Sequence, residues 1–320
     1  LKNLHSTAVC NNNKYTFYFV TKDHSPNNCP VCSSEKVVYK PHTTFTHSLW
    51  RCRSCGLIFV YPQPTLQTLE KIYGDAYFKN EQSQDYGYDD YQKDKTNILK
   101  TSERRLRSIE AFMPKKGMLL DVGCALGYFV EAAVRRGWDA HGIDISRYAI
   151  DAAKQTLGDR VMRGVLADAN FPKGKFDAVV SWDCIEHVPD PRAQLKQTAE
   201  LLKPGGLLVM ATPDAGSAVA KLMGDRWMGY KDLEHLFYFS RRSLRMLLEQ
   251  SGFEVIKFRS TGKYVSLDLF TRRLALYSKK LSKMIATVSK RYDPALINFY
   301  VDPLDIMMVY ARKKADEERG

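Results

Sequence analysis

The sequence predicts an α/β chain: a doubly wound parallel sheet with a small four-cysteine ribbon ahead of it. Two observations carry this. From Lys116 onward, short apolar runs alternate with helical patterns, and such alternation builds a parallel sheet covered on both faces. Ahead of it, Cys29-x2-Cys32 and Cys52-x2-Cys55 are separated by nineteen residues, the spacing of a ribbon closed on one zinc ion. With 320 residues, 44% hydrophobic and 26% charged, the chain can bury a sizeable core as one large domain or two unequal ones.

Taken in order, residues 1–28 are polar, with a short aromatic run at Thr16–Val20 that suits a strand. The ribbon follows and ends in the apolar run Leu57–Tyr61, closed by Pro62 and Pro64. Pro30 and Gly56 suit the two knuckles, where restricted or permissive backbone angles are needed. Thr65–Tyr73 reads as a helix capped by Thr65, and the acidic stretch that follows, with Tyr77, Tyr86, Tyr88 and Tyr91, reads as a linker or lid. Lys95–Met113 is helical by the spacing of Ile98, Leu99, Leu106, Ile109 and Phe112.

The sheet region gives strands at Met118–Val122, His141–Ile145, Arg160–Val165, Phe176–Trp182, Gly206–Ala211, Phe253–Ser260 and Leu304–Ala311. Helices are expected at Gly127–Arg136, Ser146–Leu157 with Ser146 as cap, Pro191–Leu202 and Ser240–Gln250. The expected organisation is thus 1–63 tail and ribbon, 64–95 linker or lid, and 96–320 the sheet domain, with an insert at 262–303. Within that insert, Ser266–Arg291 places Leu269, Phe270, Leu274, Leu281, Met284 and Ile285 at helical spacing among Arg and Lys. It reads as one basic amphipathic helix, packed on its own domain or lying on an anionic membrane.

Composition narrows the function classes. No run approaches the ~18 apolar residues of a membrane span, and no leader pattern opens the chain, so a cytoplasmic protein is expected, with the inner membrane face as an alternative. Seven cysteines, an odd number, argue against a secreted disulfide framework and for a reducing compartment. A four-thiolate shell leaves no open position, so the zinc held by Cys29, Cys32, Cys52 and Cys55 is expected to be structural. The net charge of +12 points to an anionic partner: nucleic acid, a membrane or an anionic small substrate.

The first strand of the sheet ends in Asp121-Val-Gly123-Cys124-Ala125-Leu-Gly127, directly before a helix. Glycines there let a ligand approach the backbone. A carboxylate at Asp121 would oppose a pyrophosphate but suits a cationic cofactor. The second strand ends in Asp144, placed to accept hydrogen bonds from a ribose diol. Together these suggest S-adenosylmethionine, whose sulfonium and ammonium are cationic.

At these residues the chain resembles the class I S-adenosylmethionine-dependent methyltransferases. LLDVGCALGYFV is similar to their first motif and HGIDIS to their second-strand acid. VLADANFPKGKFDAVVSWDCIEHVPDP and LLKPGGLLVMATP are similar to their third to fifth strands, and EHLFYFSRRSLRMLLEQSGFEVIKF to their late helix and sixth strand. The resemblance implies a Rossmann-like seven-stranded fold whose last strand is antiparallel. It implies that Gly123, Cys124, Ala125 and Gly127 line the methionine half of the cofactor, with Asp121 near its ammonium. Asp144 would hold the ribose, Ile145 the adenine face, Asp168 and Ala169 the adenine edge, and Trp182 or Asp183 would face the methyl. Ala125 stands where a glycine is often found. CPVC…CRSCGLIFVYPQP resembles the zinc-binding segment of bacterial methyltransferases that modify sugars and surface glycans.

A hydroxyl or enolisable carbon acceptor needs a base. His235, in the loop that similar enzymes fold over substrate, is placed first, then His187, with Glu186 beside it. Similar quinone O-methyltransferases use a divalent metal in this region, which makes Asp183, Glu186 and His187 an alternative set. Trp227 and Tyr230 are expected to wall the substrate. The leading expectation is methyl transfer to a sugar nucleotide or lipid-linked glycan, with peripheral membrane contact through 266–291 a further option. RNA methylation is the competitor, although Lys36, Lys40, Arg51 and Arg53 against Glu35 do not make the ribbon notably basic. A retired cofactor fold serving as an interaction protein is the third reading.

Overall fold

A hairpin, a ribbon and a wound sheet follow one another along the chain. The computed structural model describes residues 5–11, 14–20, 25–43, 45–64, 94–232, 234–275, 278–289 and 297–315. Strands β1 (His5–Asn11) and β2 (Lys14–Val20) pair antiparallel. The ribbon is a meander of β3 (Val37–Lys40), β4 (Leu49–Cys52) and β5 (Ile58–Val60). Its second knuckle closes through Gly56, whose φ of +82° allows its N–H to donate to the Cys52 carbonyl at 3.0 Å. The helix and tyrosines expected between 65 and 93 lie outside the described residues.

Helix α1 (Lys95–Glu110) buries Leu106 and Ile109 and, on the same side, Thr101 and Arg105. Then come β6 (Met118–Val122), α2 (Tyr128–Arg135), β7 (Asp139–Asp144), α3 (Arg147–Leu157), β8 (Val161–Arg163), β9 (Phe176–Trp182), α4 (Pro191–Leu201) and β10 (Leu202–Pro213). The Ser146 hydroxyl caps α3 by accepting from the Ala149 N–H, as its position predicts. A short helix α5 (Ala218–Met223), a two-residue strand β11 (Phe237–Tyr238), helix α6 (Arg241–Gln250) and strand β12 (Phe253–Ser260) follow. Ser240 and Ser243 form a reciprocal capping box at the start of α6.

The insert differs from the single helix expected over 266–291. It opens with β13 (Lys263–Ser266), continues as α7 (Leu267–Ala275) and α8 (Lys279–Ser289), and returns as β14 (Asn298–Val301), antiparallel to β13. The helices pack on each other, so the apolar stripe is divided between two helices. Met284 on α8 is 58% exposed beside the exposed Lys283. Strand β15 (Ile306–Lys313) ends the sheet.

The seven strands lie in the order β12-β15-β10-β9-β6-β7-β8. Strands β6 to β10 run parallel, and β15 runs antiparallel between β10 and β12. Chain direction across the sheet reverses at β6, which lies between β9 and β7, and open α/β sheets bind ligands at the carboxyl ends of strands beside such a switch. The ribbon is not a separate bead. Strand β11, from the loop after β10, pairs with β5 and completes the ribbon's sheet. Val31, Leu57 and Phe59 share one buried cluster with Leu195, Leu236 and Leu248.

Candidate active site

A cavity of about 900 Å³ opens over the carboxyl ends of β6, β7 and β9. One half is built by the loops after β6 and β7. Gly123 has φ +82°, and a Cβ there would come within 2.9 Å of the Cys184 sulfur, so glycine is required by both conformation and space. Asp144 is the hub. Its Oδ2 accepts from the Ala125 N–H at 2.8 Å and its Oδ1 from the Ser146 N–H at 2.9 Å. The carboxylate has about four acceptor sites, so it keeps capacity for a ribose hydroxyl beyond its backbone donors. Burial raises its pKa above the ordinary carboxylate value, against the backbone donors of Ser146, Ala125 and Ile145. Ile145 and Val165, apolar and 45% and 44% exposed, line the cavity together with Asp168.

Ala125 adopts φ +47°, a left-handed conformation that strains a residue with a Cβ. Ala125→Gly should therefore raise unfolding stability by about 0.5–1 kcal/mol, the relief of αL strain less the extra chain entropy of glycine. Urea denaturation of the two proteins measures it, and a destabilised variant would refute the strain.

Asp121 is buried, and its Oδ1 has no partner. Burial first, and the Asp144 charge second, push its pKa up to about 8, with Arg105 opposing. Arg105 is the residue that sequence reasoning missed. It is 8% exposed, its Nε and Nη2 have no partner, and it lies 4.3 Å over the Trp182 ring. Its signal was its place four residues after Thr101 and four before Ile109, on the buried stripe of α1. A buried unpaired acid and a buried unpaired guanidinium on one wall fit the ammonium and carboxylate of an amino-acid moiety.

The other half lies between Trp182, His187, α1 and the insert. Asp183 has φ +51°, and its carboxylate pairs with Lys263 at 2.7 Å. Burial pushes Asp183 up, but Lys263 and Arg105 outweigh it and hold the carboxyl below its ordinary value. The Tyr264 N–H donates to Thr101 Oγ1 at 2.9 Å, tying the insert to α1. Lys263 and Tyr264 were also missed, because an insert distant in sequence supplies them.

His187 lines this half. Its Nδ1 lies 2.8 Å from the Glu234 carbonyl, a contact it makes as a donor, which leaves the other ring nitrogen basic in the neutral form. Burial lowers its pKa, against that carbonyl. His235 does not line the cavity. It is buried behind His187, ring centroids 4.7 Å apart, with its Nδ1 on the Gly229 carbonyl at 3.0 Å. The expectation that put His235 ahead of His187 meets a different placement: the two come from separate segments, and the turn at His235, whose N–H donates to the Lys231 carbonyl at 3.1 Å, leaves it off the cavity lining while the turn after β9 brings His187 onto it. Glu186 is likewise behind the wall, accepting from the Thr212 hydroxyl at 2.9 Å, and burial raises its pKa to about 8. The ligand atoms of Glu186, His187 and His235 lie within 4.8 Å of one another, whereas Asp183 turns to Lys263. Trp227 and Tyr230 do not wall the cavity either. They pack towards the ribbon with Phe45 and Tyr238, where their rings find apolar neighbours. Gly127, the left-handed residue before α2, and Ala169 also lie off the cavity lining.

The four ribbon sulfurs lie within 4.8 Å of one another, at 3.6 Å for Cys29–Cys55 and 3.5 Å for Cys32–Cys52. Thiolates on one tetrahedral zinc stand about 3.8 Å apart, given bonds of about 2.3 Å. The donor set fits.

Fold and cavity together define an S-adenosylmethionine-dependent methyltransferase class. The family model described as a methyltransferase domain matches residues 96–257, just over half of the chain, and the chain belongs to that family. It is 36% identical over 102 residues to the ubiquinone biosynthesis O-methyltransferase of Alkalilimnicola ehrlichii, covering 29% of this chain and 40% of that one. With the enzyme of the same name from Cereibacter sphaeroides it shares 34% over 130 residues, 38% of this chain and 53% of that one. The chain spans about half the length of the curated relatives it matches. A solved S-adenosylmethionine-dependent methyltransferase from Archaeoglobus fulgidus is similar with a TM-score of 0.48 at 17% identity, covering 70% of this chain and 99% of that one.

Proposed function

We propose that the chain transfers a methyl group from S-adenosylmethionine to a hydroxyl or carbon of a polar acceptor, a sugar nucleotide or lipid-linked glycan, with His187 as the base. The observation that carries this reading is the two-sided cavity. Unpaired Asp121 and Arg105 and the hub Asp144 stand on one side, and His187 stands beyond Trp182 on the other. Thr101, Gln194, Lys263 and Tyr264 give the acceptor side a polar wall suited to a polyol. Structural zinc in the four-cysteine cluster belongs to the same reading, and elemental analysis should return one zinc per chain. The exposed Met284 beside Lys283 supports contact with an anionic membrane, where a lipid-linked acceptor would be met. No helix among the described residues is long and apolar enough to cross a membrane.

A quinone-type hydroxyl is the second reading. The names of the relatives favour it, and so does the grouping of Glu186, His187 and His235, which could hold a divalent ion. Cofactor consumption with nucleotide sugars, lipid-linked glycans, catechols and RNA separates the readings. The cofactor assignment has its own test. Asp144→Ala should weaken S-adenosylmethionine binding by about 1–3 kcal/mol in calorimetry, because the ribose hydroxyls lose their acceptor. Unchanged affinity in a folded variant would sink the assignment.

A further inference from the structure

We propose that the four-cysteine ribbon is a positioning element for the acceptor wall: through β5 and β11 it holds His187 in place. The path is continuous. The Val60 N–H donates to the Leu236 carbonyl at 2.9 Å, and the Leu236 N–H donates to the Glu186 carbonyl at 2.8 Å. Phe59 and Ile58 pair with Phe237 and Tyr238 in the same ladder. One residue before Leu236 stands His235, whose ring meets His187 edge-on, and one before that is the Glu234 carbonyl bonded to His187 Nδ1. The acceptor wall is therefore laid against a strand of the ribbon.

Both knuckles add tethers to the same region. Arg192, just after the His187 turn, donates from Nη2 to the Val31 carbonyl at 2.6 Å. The Ser240 hydroxyl donates to the Cys55 carbonyl at 3.4 Å. On the opposite edge of the ribbon, the Thr46 N–H and hydroxyl both donate to the Asp232 carboxylate. The cofactor side is tied differently: Asp144 accepts from Ala125 and Ser146, within the loops of β6 and β7. A ribbon this small depends on its ion to keep β4 and β5 joined at Cys52 and Cys55. Losing the ion frees β5, then residues 234–238, then His187, while the cofactor loops keep their own bonds.

The inference rests on the methyl-transfer reading only for what His187 faces. It is tested on the full chain without an acceptor. Zinc is extracted with a chelator and returned, with hydrogen–deuterium exchange, histidine NMR and S-adenosylhomocysteine affinity followed throughout. Exchange at 184–188 and 234–238 should rise about tenfold or more and reverse with zinc, while 119–127 and 143–146 change by less than about twofold. The His187 pKa should move up towards the ordinary ~6.5 as the ring is exposed. Affinity for S-adenosylhomocysteine should hold within about threefold, a shift under ~0.7 kcal/mol. Exchange that rises only within 25–60, or that rises across the whole sheet, overturns the proposal. Where extraction precipitates the chain, Arg192→Ala with zinc in place should loosen 184–188 several-fold, and unchanged exchange there overturns it equally. A native chain that binds no S-adenosylhomocysteine removes the methyl-transfer reading, while the exchange pattern still decides this one.

Discussion

His187→Ala should lower turnover by about 10²–10⁴-fold, the usual contribution of a positioned general base, with cofactor affinity nearly intact. The imidazole lines the cavity, and the Glu234 carbonyl fixes its tautomer. Burial lowers its pKa, so the neutral, basic form dominates at pH 7. The rate should rise with pH through a value below the ordinary histidine pKa and then level, because protonation at lower pH removes the base. In His187→Ala that acidic limb should vanish. Single-turnover rates across pH with a true acceptor measure both effects. If His235→Ala loses turnover while His187→Ala keeps it, the base is not on the cavity wall.

Arg105→Ala should weaken S-adenosylmethionine binding by about 10- to 150-fold, the worth of hydrogen bonds to a charged group, about 1.5–3 kcal/mol. Arg105 lines the cavity, its Nε and Nη2 are buried without a partner, and no other buried cation among the described residues is left so. Arg105→Lys should recover only part of the loss, since an ammonium cannot reproduce the guanidinium fork. A pH effect accompanies it. Asp121 is held up to about 8 by burial and by Asp144, and Arg105 opposes that rise. Without Arg105 the Asp121 pKa climbs further, so the pH above which the cofactor's ammonium meets an ionised carboxylate moves upward. Calorimetry at several pH values follows both changes, and pH-independent, undiminished binding would remove Arg105 from the site.

Much of this was legible in the sequence because it is local. Strand β6, its acidic end, the left-handed Gly123 and the acid closing β7 lie within a single βαβ unit, where residue spacing fixes spatial neighbours. The ribbon's four cysteines share that property. What was not legible depends on elements remote in sequence. Arg105 looks like one more charge in the run Glu103-Arg104-Arg105 until its buried stripe is traced. Lys263 and Tyr264 come from an insert whose strands β13 and β14 pair across two intervening helices, so no local turn signal marks them. Which histidine reaches the cavity depends on how the loop holding His235 packs against the turn after β9, through the Leu236 N–H on the Glu186 carbonyl, and no local periodicity carries that. Strand β11, two residues long, carries no periodic signal, yet it decides how the ribbon meets the sheet.

That short strand also sets where the chain can be cut. The sequence invites a boundary near residue 63, and a fragment starting near 96 would retain the whole sheet. Such a fragment would carry β11 with its ladder partner gone and with Leu236, Phe237, Tyr238 and Phe239, each at most 1% exposed in the full chain, turned to water. An unpaired edge lined with aromatic rings is an adhesive surface. Truncations that look conservative on paper should come out of expression as aggregates, and grafting this ribbon onto another methyltransferase would require transplanting Leu236–Phe239 with it.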